Sequence, residues 1–207
     1  MPEIKVAIVG CGCVANGHLR AWKKVSSTKV IAVSDVNNSL AKSTAETWHI
    51  PHNFGSLSEL VKLGDTDVVD ICTPPQTHAL LSVEAMEAGF NVLIEKPMAM
   101  TVKDAEQIVK SQKSTGAKAG VIHNWLFEAP IRKADALLKK GYLGEILSME
   151  VEALCTRNDS MALNKNHWCH AFPGGRFSEM LAHPIYLLMH FLGDAKVRDV
   201  QVAKLGS

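Results

Sequence analysis

Six residues near the start of the chain, Gly10-Cys11-Gly12-Cys13-Val14-Ala15, restrict its fold more than any other stretch. They follow a short apolar run, Ile4–Gly10, and open a segment, Ala15–Val25, that carries Leu19, Trp22 and Val25 at helical spacing. Each small residue of such a strand-to-helix turn has its own use. Gly10 permits the tight turn, Gly12 lets backbone approach a ligand with no Cβ in the way, and Ala15 lets the helix lie close to a sheet. The loop, Cys13 and Val14 included, leads into a helix N-terminus whose unpaired amides and partial positive charge suit a phosphate. On its own the pattern also describes an ordinary tight turn.

The residues that follow favour the phosphate reading. Lys29–Asp35 reads as a second strand, and Asp35 at its end lies 23 residues beyond Gly12. A carboxylate there accepts hydrogen bonds from the adenosine ribose hydroxyls of a bound dinucleotide. It would repel a 2′-phosphate, so NAD(H) is expected over NADP. Ser39–Trp48 and Ser56–Leu63 read as helices, the second with Ser56 and Glu59 spaced as a capping box. Val68–Cys72 is a strand ended by Thr73-Pro74-Pro75, and Thr77–Ala88 a helix closed by Gly89. Asn91–Glu95 is a strand ended by Pro97, Val102–Lys113 a helix, and Lys118–Asn124 a further strand. Strands alternating with helices predict an α/β fold, a Rossmann doubly wound parallel sheet covered on both faces. Near-continuous apolar strands such as Val-Ala-Ile-Val fit that burial.

Beyond Asn124 the pattern changes. Ala129–Lys140 reads as a helix stopped by Gly141, and Glu145–Leu154 as a long strand with some alternation. An irregular stretch, Cys155–Pro173, precedes a helix to Leu192 and a last strand over Lys196–Leu205. The expected division is a dinucleotide-binding domain over 1–124 and a partial, incomplete α/β domain over 125–207.

Charge and composition exclude several classes. Twenty-two Lys and Arg stand against 21 Asp and Glu among 207 residues, with no basic block, so neither nucleic acid nor a membrane surface is an expected partner. No apolar run approaches the ~18 residues that span a bilayer. The N-terminus runs straight into a strand without the layout of a secretion signal. An odd count of five cysteines suits reduced thiols in the cytoplasm. Cys11 and Cys13, one residue apart, are badly spaced for a redox pair, and His167-Trp168-Cys169-His170 is a poor zinc pattern. No metal is expected. With Lys165, Trp168 is expected to border a substrate pocket, where its flat face suits a sugar ring.

Three motifs then stand in order: the glycine turn, Thr73-Pro74-Pro75-Gln76-Thr77-His78 after one strand, and Glu95-Lys96-Pro97 after the next. From about Ile4 to Leu192 the sequence resembles the glucose–fructose oxidoreductase/inositol dehydrogenase (Gfo/Idh/MocA) family. The resemblance implies an NAD(H)-dependent oxidoreductase acting on a secondary alcohol or carbonyl of a sugar, polyol or derivative. It implies a nicotinamide near Glu95-Lys96-Pro97, with Lys96 reaching cofactor and substrate. Thr73, Pro74 and the His78 side chain would line the cofactor cleft, and Asn124 would lie near the nicotinamide end. The Lys96–Pro97 peptide is a candidate for a cis bond. A C-terminal sheet that usually mediates oligomerisation implies a homo-oligomer. Members of the family are substantially longer, so the chain is expected either to be a truncated form or to complete its sheet by self-association.

The family's acid-and-histidine pattern falls on Gly174-Gly175-Arg176-Phe177-Ser178-Glu179-Met180-Leu181-Ala182-His183. Glu179 stands in the acid position and His183 in the histidine position, one turn apart. The roles implied are a general base for His183, alkoxide stabilisation and proton relay for Lys96, and positioning of substrate or imidazole for Glu179. Glu replaces the usual Asp, and Leu181 the usual Gly. Pro184 either kinks this helix or begins it, and in the second case Glu179 and His183 need not share a face. Two other functions are reachable from the same fold: an NAD-dependent glycosidase and a non-catalytic dinucleotide-binding module.

Overall fold

The computed structural model describes residues 2–154 and 163–201. The chain forms two compact units, residues 1–122 and 123–207.

In the first unit, β1 (Ile4–Val9), α1 (Cys13–Trp22), β2 (Thr28–Ser34), α2 (Asn38–Trp48), β3 (His52–Phe54), α3 (Leu57–Val61) and β4 (Val68–Ile71) follow one another. A single 3₁₀ turn, Pro75–Thr77, leads to α4 (His78–Glu87), then β5 (Asn91–Ile94), α5 (Val102–Thr115) and β6 (Ala119–Val121). The strands lie in the order β3-β2-β1-β4-β5-β6 and every pair is parallel. This is a Rossmann sheet, whose order reverses at β1, the place where such sheets open a ligand crevice at their strand ends.

Alternation in β1 shows why helices cover both faces. Val6 and Ile8 point to one side, against Ala15 and Leu19 of α1 and Ala41 and Ala45 of α2. Ala7 and Val9 point to the other, with Leu60 of α3, Met86 of α4 and Ile108 of α5. All ten are buried. Helix starts follow the expected chemistry: the Ser56 hydroxyl accepts the Glu59 N–H at 3.2 Å. Glu59 reaches back to the Gly55 N–H at 2.9 Å, one residue before the place a capping box predicts. The strand β3 has no counterpart in the sequence reading. It is three residues at the sheet edge, His-Asn-Phe, too short and too polar to show an apolar run.

The second unit holds a 3₁₀ turn, Asn124–Phe127, then α6 (Ala129–Lys139), a second such turn, Trp168–Ala171, and α7 (Gly175–Leu192). The strands expected over 145–154 and 196–205 are not formed among the described residues, where 145–154 and 196–201 join no sheet. A strand needs a neighbour for its backbone groups, and Leu147 and Leu154 stand 93% and 83% exposed. Cys155 and residues 202–205 lie outside the described residues. Helix α7 begins nine residues before Pro184 and continues through it. Glu179 and His183 therefore do share a helix face, and both are buried. Among the described residues no helix is long and apolar enough to cross a membrane.

Candidate functional site

The first unit gathers its polar groups at the carboxyl ends of β1, β2, β4 and β5. Gly10 has φ +94°, and a Cβ there would lie 2.8 Å from the Cys72 carbonyl carbon, so glycine is what lets the turn rest on the end of β4. Gly12 is the opposite case. It caps α1 with ordinary φ −69° and no side-chain hydrogen bond, and a Cβ on it would meet nothing within 4 Å. The space over the tip of α1 is open, as a diphosphate cradle requires. Cys13 and Val14 follow in the first turn of α1, both exposed, and Ala15 is buried against the sheet.

Asp35 sits just beyond β2 with both carboxylate oxygens held. One accepts the Cys11 N–H at 2.8 Å and the other the Asn37 N–H at 2.8 Å. The ribose-binding candidate is thus tied to the glycine turn itself. These residues fit a dinucleotide: an uncapped helix tip, a side-chain-free approach and a fixed carboxylate.

Thr73 and Pro74 follow β4, where the Thr77 hydroxyl donates to that of Thr73 at 2.7 Å. His78 follows at the start of α4. Its ring is fully buried, with Nδ1 2.8 Å from the Pro97 carbonyl and Nε2 2.8 Å from the Thr73 carbonyl. Burial pushes its pKa down, and the two carbonyls oppose that less strongly. A ring enclosed in this way clamps the loops after β4 and β5 together. The Lys96–Pro97 peptide is cis, and Lys96 is half-buried.

The cluster beneath this turn was not foreseen. His18 and Trp22, one turn apart on α1, meet Asp70, a fully buried carboxylate inside β4. Trp22 donates its indole N–H to Asp70 at 2.6 Å. His18 Nδ1 lies 2.9 Å from the same carboxylate, and His18 Nε2 lies 3.0 Å from Glu95 Oε1. Glu95 Oε2 accepts the Lys96 backbone N–H at 2.9 Å. Burial pulls the His18 pKa down, but its bonds to Asp70, Cys72 and Glu95 outweigh that and raise it to about 12. Burial works against ionised Glu95, yet the His18 bond and the Lys96 N–H and charge hold its pKa below the usual range. The sequence carried one signal for this cluster: a charge inside the apolar run Val68-Val69-Asp70-Ile71-Cys72, which must be paired if buried.

His18 Nδ1, a carboxylate oxygen of Asp70 and Cys72 Sγ lie within 4.8 Å of one another, near enough to share a metal ion. Their protons already satisfy them. Trp22 and His18 both donate to Asp70, and burial pushes the Cys72 thiol up to about 12.

In the second unit His183 stacks on Trp125 with centroids 4.3 Å apart, and its Nδ1 lies 2.7 Å from the Tyr186 hydroxyl. That hydroxyl accepts the Trp125 N–H at 3.1 Å and donates weakly to Asn124 Oδ1 at 3.4 Å. His123 stacks on the Tyr186 ring at 4.3 Å. Tyr186, absent from the sequence reading, thus organises His183, Trp125 and Asn124. Glu179 pairs with Arg176, one turn earlier on α7. Cys169 is fully buried and its N–H donates to His167 Nδ1 at 3.3 Å, an arrangement of a local turn.

A family model described as an oxidoreductase family with an NAD-binding Rossmann fold matches residues 4–123. D-apiose dehydrogenase from Rhizobium rhizogenes is 30% identical over 145 residues, which are 70% of this chain and 42% of that protein. Inositol 2-dehydrogenase/D-chiro-inositol 3-dehydrogenase from Shouchella clausii is 32% identical over 117 residues, 56% of this chain and 34% of its own length. Among solved structures, the WlbA dehydrogenase from Chromobacterium violaceum, in complex with NADH and UDP-GlcNAcA, superposes with TM-score 0.83 at 28% identity. That match covers 93% of this chain and 56% of the other. The chain therefore spans about half or less of the length of these relatives.

Proposed function

The chain belongs to the Gfo/Idh/MocA family of oxidoreductases with an NAD-binding Rossmann fold, and on that premise we propose that it is the cofactor-holding part of an NAD(H)-dependent dehydrogenase or reductase. Its substrate would be a sugar, a polyol or a derivative with a secondary alcohol or carbonyl. The proposed division of labour is cofactor binding by residues 1–124 and substrate binding and assembly by 125–207.

One observation carries this reading. The Asp35 carboxylate is bonded to the Cys11 N–H of the same turn in which Gly12 leaves the α1 tip open. Gly10, Gly12, Cys13, Val14 and Ala15 would hold the diphosphate through backbone amides. Asp35 would grip the adenosine ribose and turn away a 2′-phosphate. Thr73, Pro74, Glu95, Lys96 and Asn124 complete the proposed cofactor contacts. When bound, NAD supplies the hydride-accepting ring of the oxidation.

The remaining work is proton transfer and positioning. Lys96 stabilises the alkoxide that develops as the alcohol loses its proton. His183 takes that proton, its ring oriented by the Tyr186 hydroxyl at Nδ1. Glu179 positions substrate or ring from one turn away on α7. A homo-oligomer belongs to the same reading, supported by the exposed Leu147 and Leu154 of a segment that joins no sheet among the described residues.

Titrating the full chain with NAD and NADP by tryptophan fluorescence, then screening polyols and aldoses for NADH formation, tests the proposal. Tighter binding of NAD and NADH release with at least one polyol are expected. Binding of neither coenzyme would end the reading.

A further inference from the structure

Four hydrogen bonds form a continuous line from α1 to the loop that carries Lys96. Trp22 and His18 donate to Asp70 of β4, His18 also donates to Glu95, and Glu95 accepts the Lys96 N–H. Each step spans 2.6–3.0 Å. Both imidazole nitrogens of His18 face carboxylate oxygens, which only accept hydrogen bonds. With both carboxylates ionised the ring carries both protons and a positive charge, and its raised pKa agrees with that.

The charges along the line explain why it holds. Two carboxylates, one of them fully buried, enclose one imidazolium. The Glu95 carboxylate keeps one oxygen for His18 and the other for the backbone of its own neighbour. Its orientation, and with it the Glu95-Lys96-Pro97 turn, is fixed from below by a side chain of α1. The same helix presents its tip at Gly12.

We propose that His18 is a positioning residue for Lys96: by gripping Glu95 it fixes the turn that carries the lysine and ties that turn to the helix beneath the coenzyme's diphosphate. This rests on the proposed role of Lys96 only where turnover is concerned. His18 itself touches neither coenzyme nor substrate in this proposal.

Two amide substitutions separate its two bonds. Asn places an N–H near the Nδ1 position and keeps the Asp70 bond, whereas Gln reaches the Nε2 position and keeps the Glu95 bond. Amide hydrogen exchange of the full-length chain reads the Lys96 N–H directly. His18→Asn should speed exchange at Lys96 by at least about tenfold while amides of the sheet centre, such as Ile8, keep theirs. His18→Gln should restore most of the Lys96 protection. With the polyol that the wild type oxidises fastest, His18→Asn should lower kcat about 10- to 100-fold, the scale of a displaced catalytic group. His18→Gln should recover part of that loss.

Equal exchange at Lys96 in both variants would overturn the proposal, as would faster exchange with unchanged kcat where Lys96→Ala abolishes turnover. If Lys96→Ala leaves turnover intact, the catalytic role of Lys96 fails instead, and the exchange comparison alone decides whether His18 holds the turn. One equivalent of zinc in the purified chain would also overturn it, because a metal would then replace the protons of the line.

Discussion

The Asp35 carboxylate accepts the backbone N–H of Cys11 at 2.8 Å, joining the end of β2 to the glycine turn that follows β1. The residue that would read a ribose and the loop that would hold a diphosphate are therefore oriented together. A charge-assisted hydrogen bond of this kind contributes about 1.5–3 kcal/mol, and it places the carboxylate before any coenzyme arrives.

The two glycines of that turn should fail in different ways when changed to alanine. Gly10→Ala meets the Cys72 carbonyl at 2.8 Å and a positive φ, so it should lower stability by about 1–3 kcal/mol in urea unfolding. Gly12→Ala meets open space at φ −69° and should fold as well as wild type. Yet its methyl group would stand in the cradle, and NAD affinity should fall about tenfold or more. Normal NAD binding by Gly12→Ala would show that the diphosphate does not lie there.

His78→Ala should cost about 3 kcal/mol of stability, since it opens a cavity and strands the Thr73 and Pro97 carbonyls. The folded fraction should still bind NAD nearly as well as wild type. A variant with normal stability and lost NAD affinity would place His78 in the cofactor's wall.

The His18 pair gives stability a definite pH dependence. Its folded pKa, about 12, lies above the ordinary 6.5, so the stabilisation is complete below pH 6.5 and is lost as pH rises towards 12. Glu95, held below its ordinary 4.5, behaves in the opposite sense and loses its contribution as pH falls. Unfolding of wild type and His18→Gln at pH 6.5 and 9.5 should show the gap between them narrowing, by up to about 1.4 kcal/mol per pH unit. Asp70, Cys72, Trp22 and Glu95 face the ring and are unchanged in this comparison. A constant gap would mean that the ring is neutral.

Lys96→Ala and His183→Ala should each slow polyol oxidation by about 10²–10⁴, the usual scale of lost acid–base help. NAD affinity should survive the His183 change, and in Lys96→Ala it should fall far less than turnover does. Tyr186→Phe removes the hydroxyl 2.7 Å from His183 Nδ1 and should alter the pH profile of kcat more than KM. Full activity of His183→Ala would remove it from the chemistry.

The parts of the fold legible in the sequence are those set by neighbours along the chain. The glycine turn and the capping of Ser56 each act within a few residues, and Asp35 closes the strand that follows the glycine turn's helix. The His18 cluster spans 52 residues to Asp70 and 77 to Glu95, so no local spacing reveals it. Only the charge of Asp70 inside an apolar strand hinted at a partner. Alternation over 145–154 suggested a strand, but alternation gives a face, not a neighbour to bond with. Pro184 was read as a possible helix start, whereas α7 continues through it. His183 just before it and Tyr186 and Leu187 just beyond are buried, and that packing outweighs one missing N–H.

The most direct test of the cofactor assignment is a paired titration of wild type and Asp35→Ala with NAD and NADP. Wild type should bind NAD more tightly than NADP. Asp35→Ala should weaken NAD about 10- to 100-fold, the loss of a ribose bond to a charged group, and abolish the discrimination against NADP. An unchanged preference in Asp35→Ala would contradict the account, because the carboxylate at the end of β2 would then not be what meets the ribose.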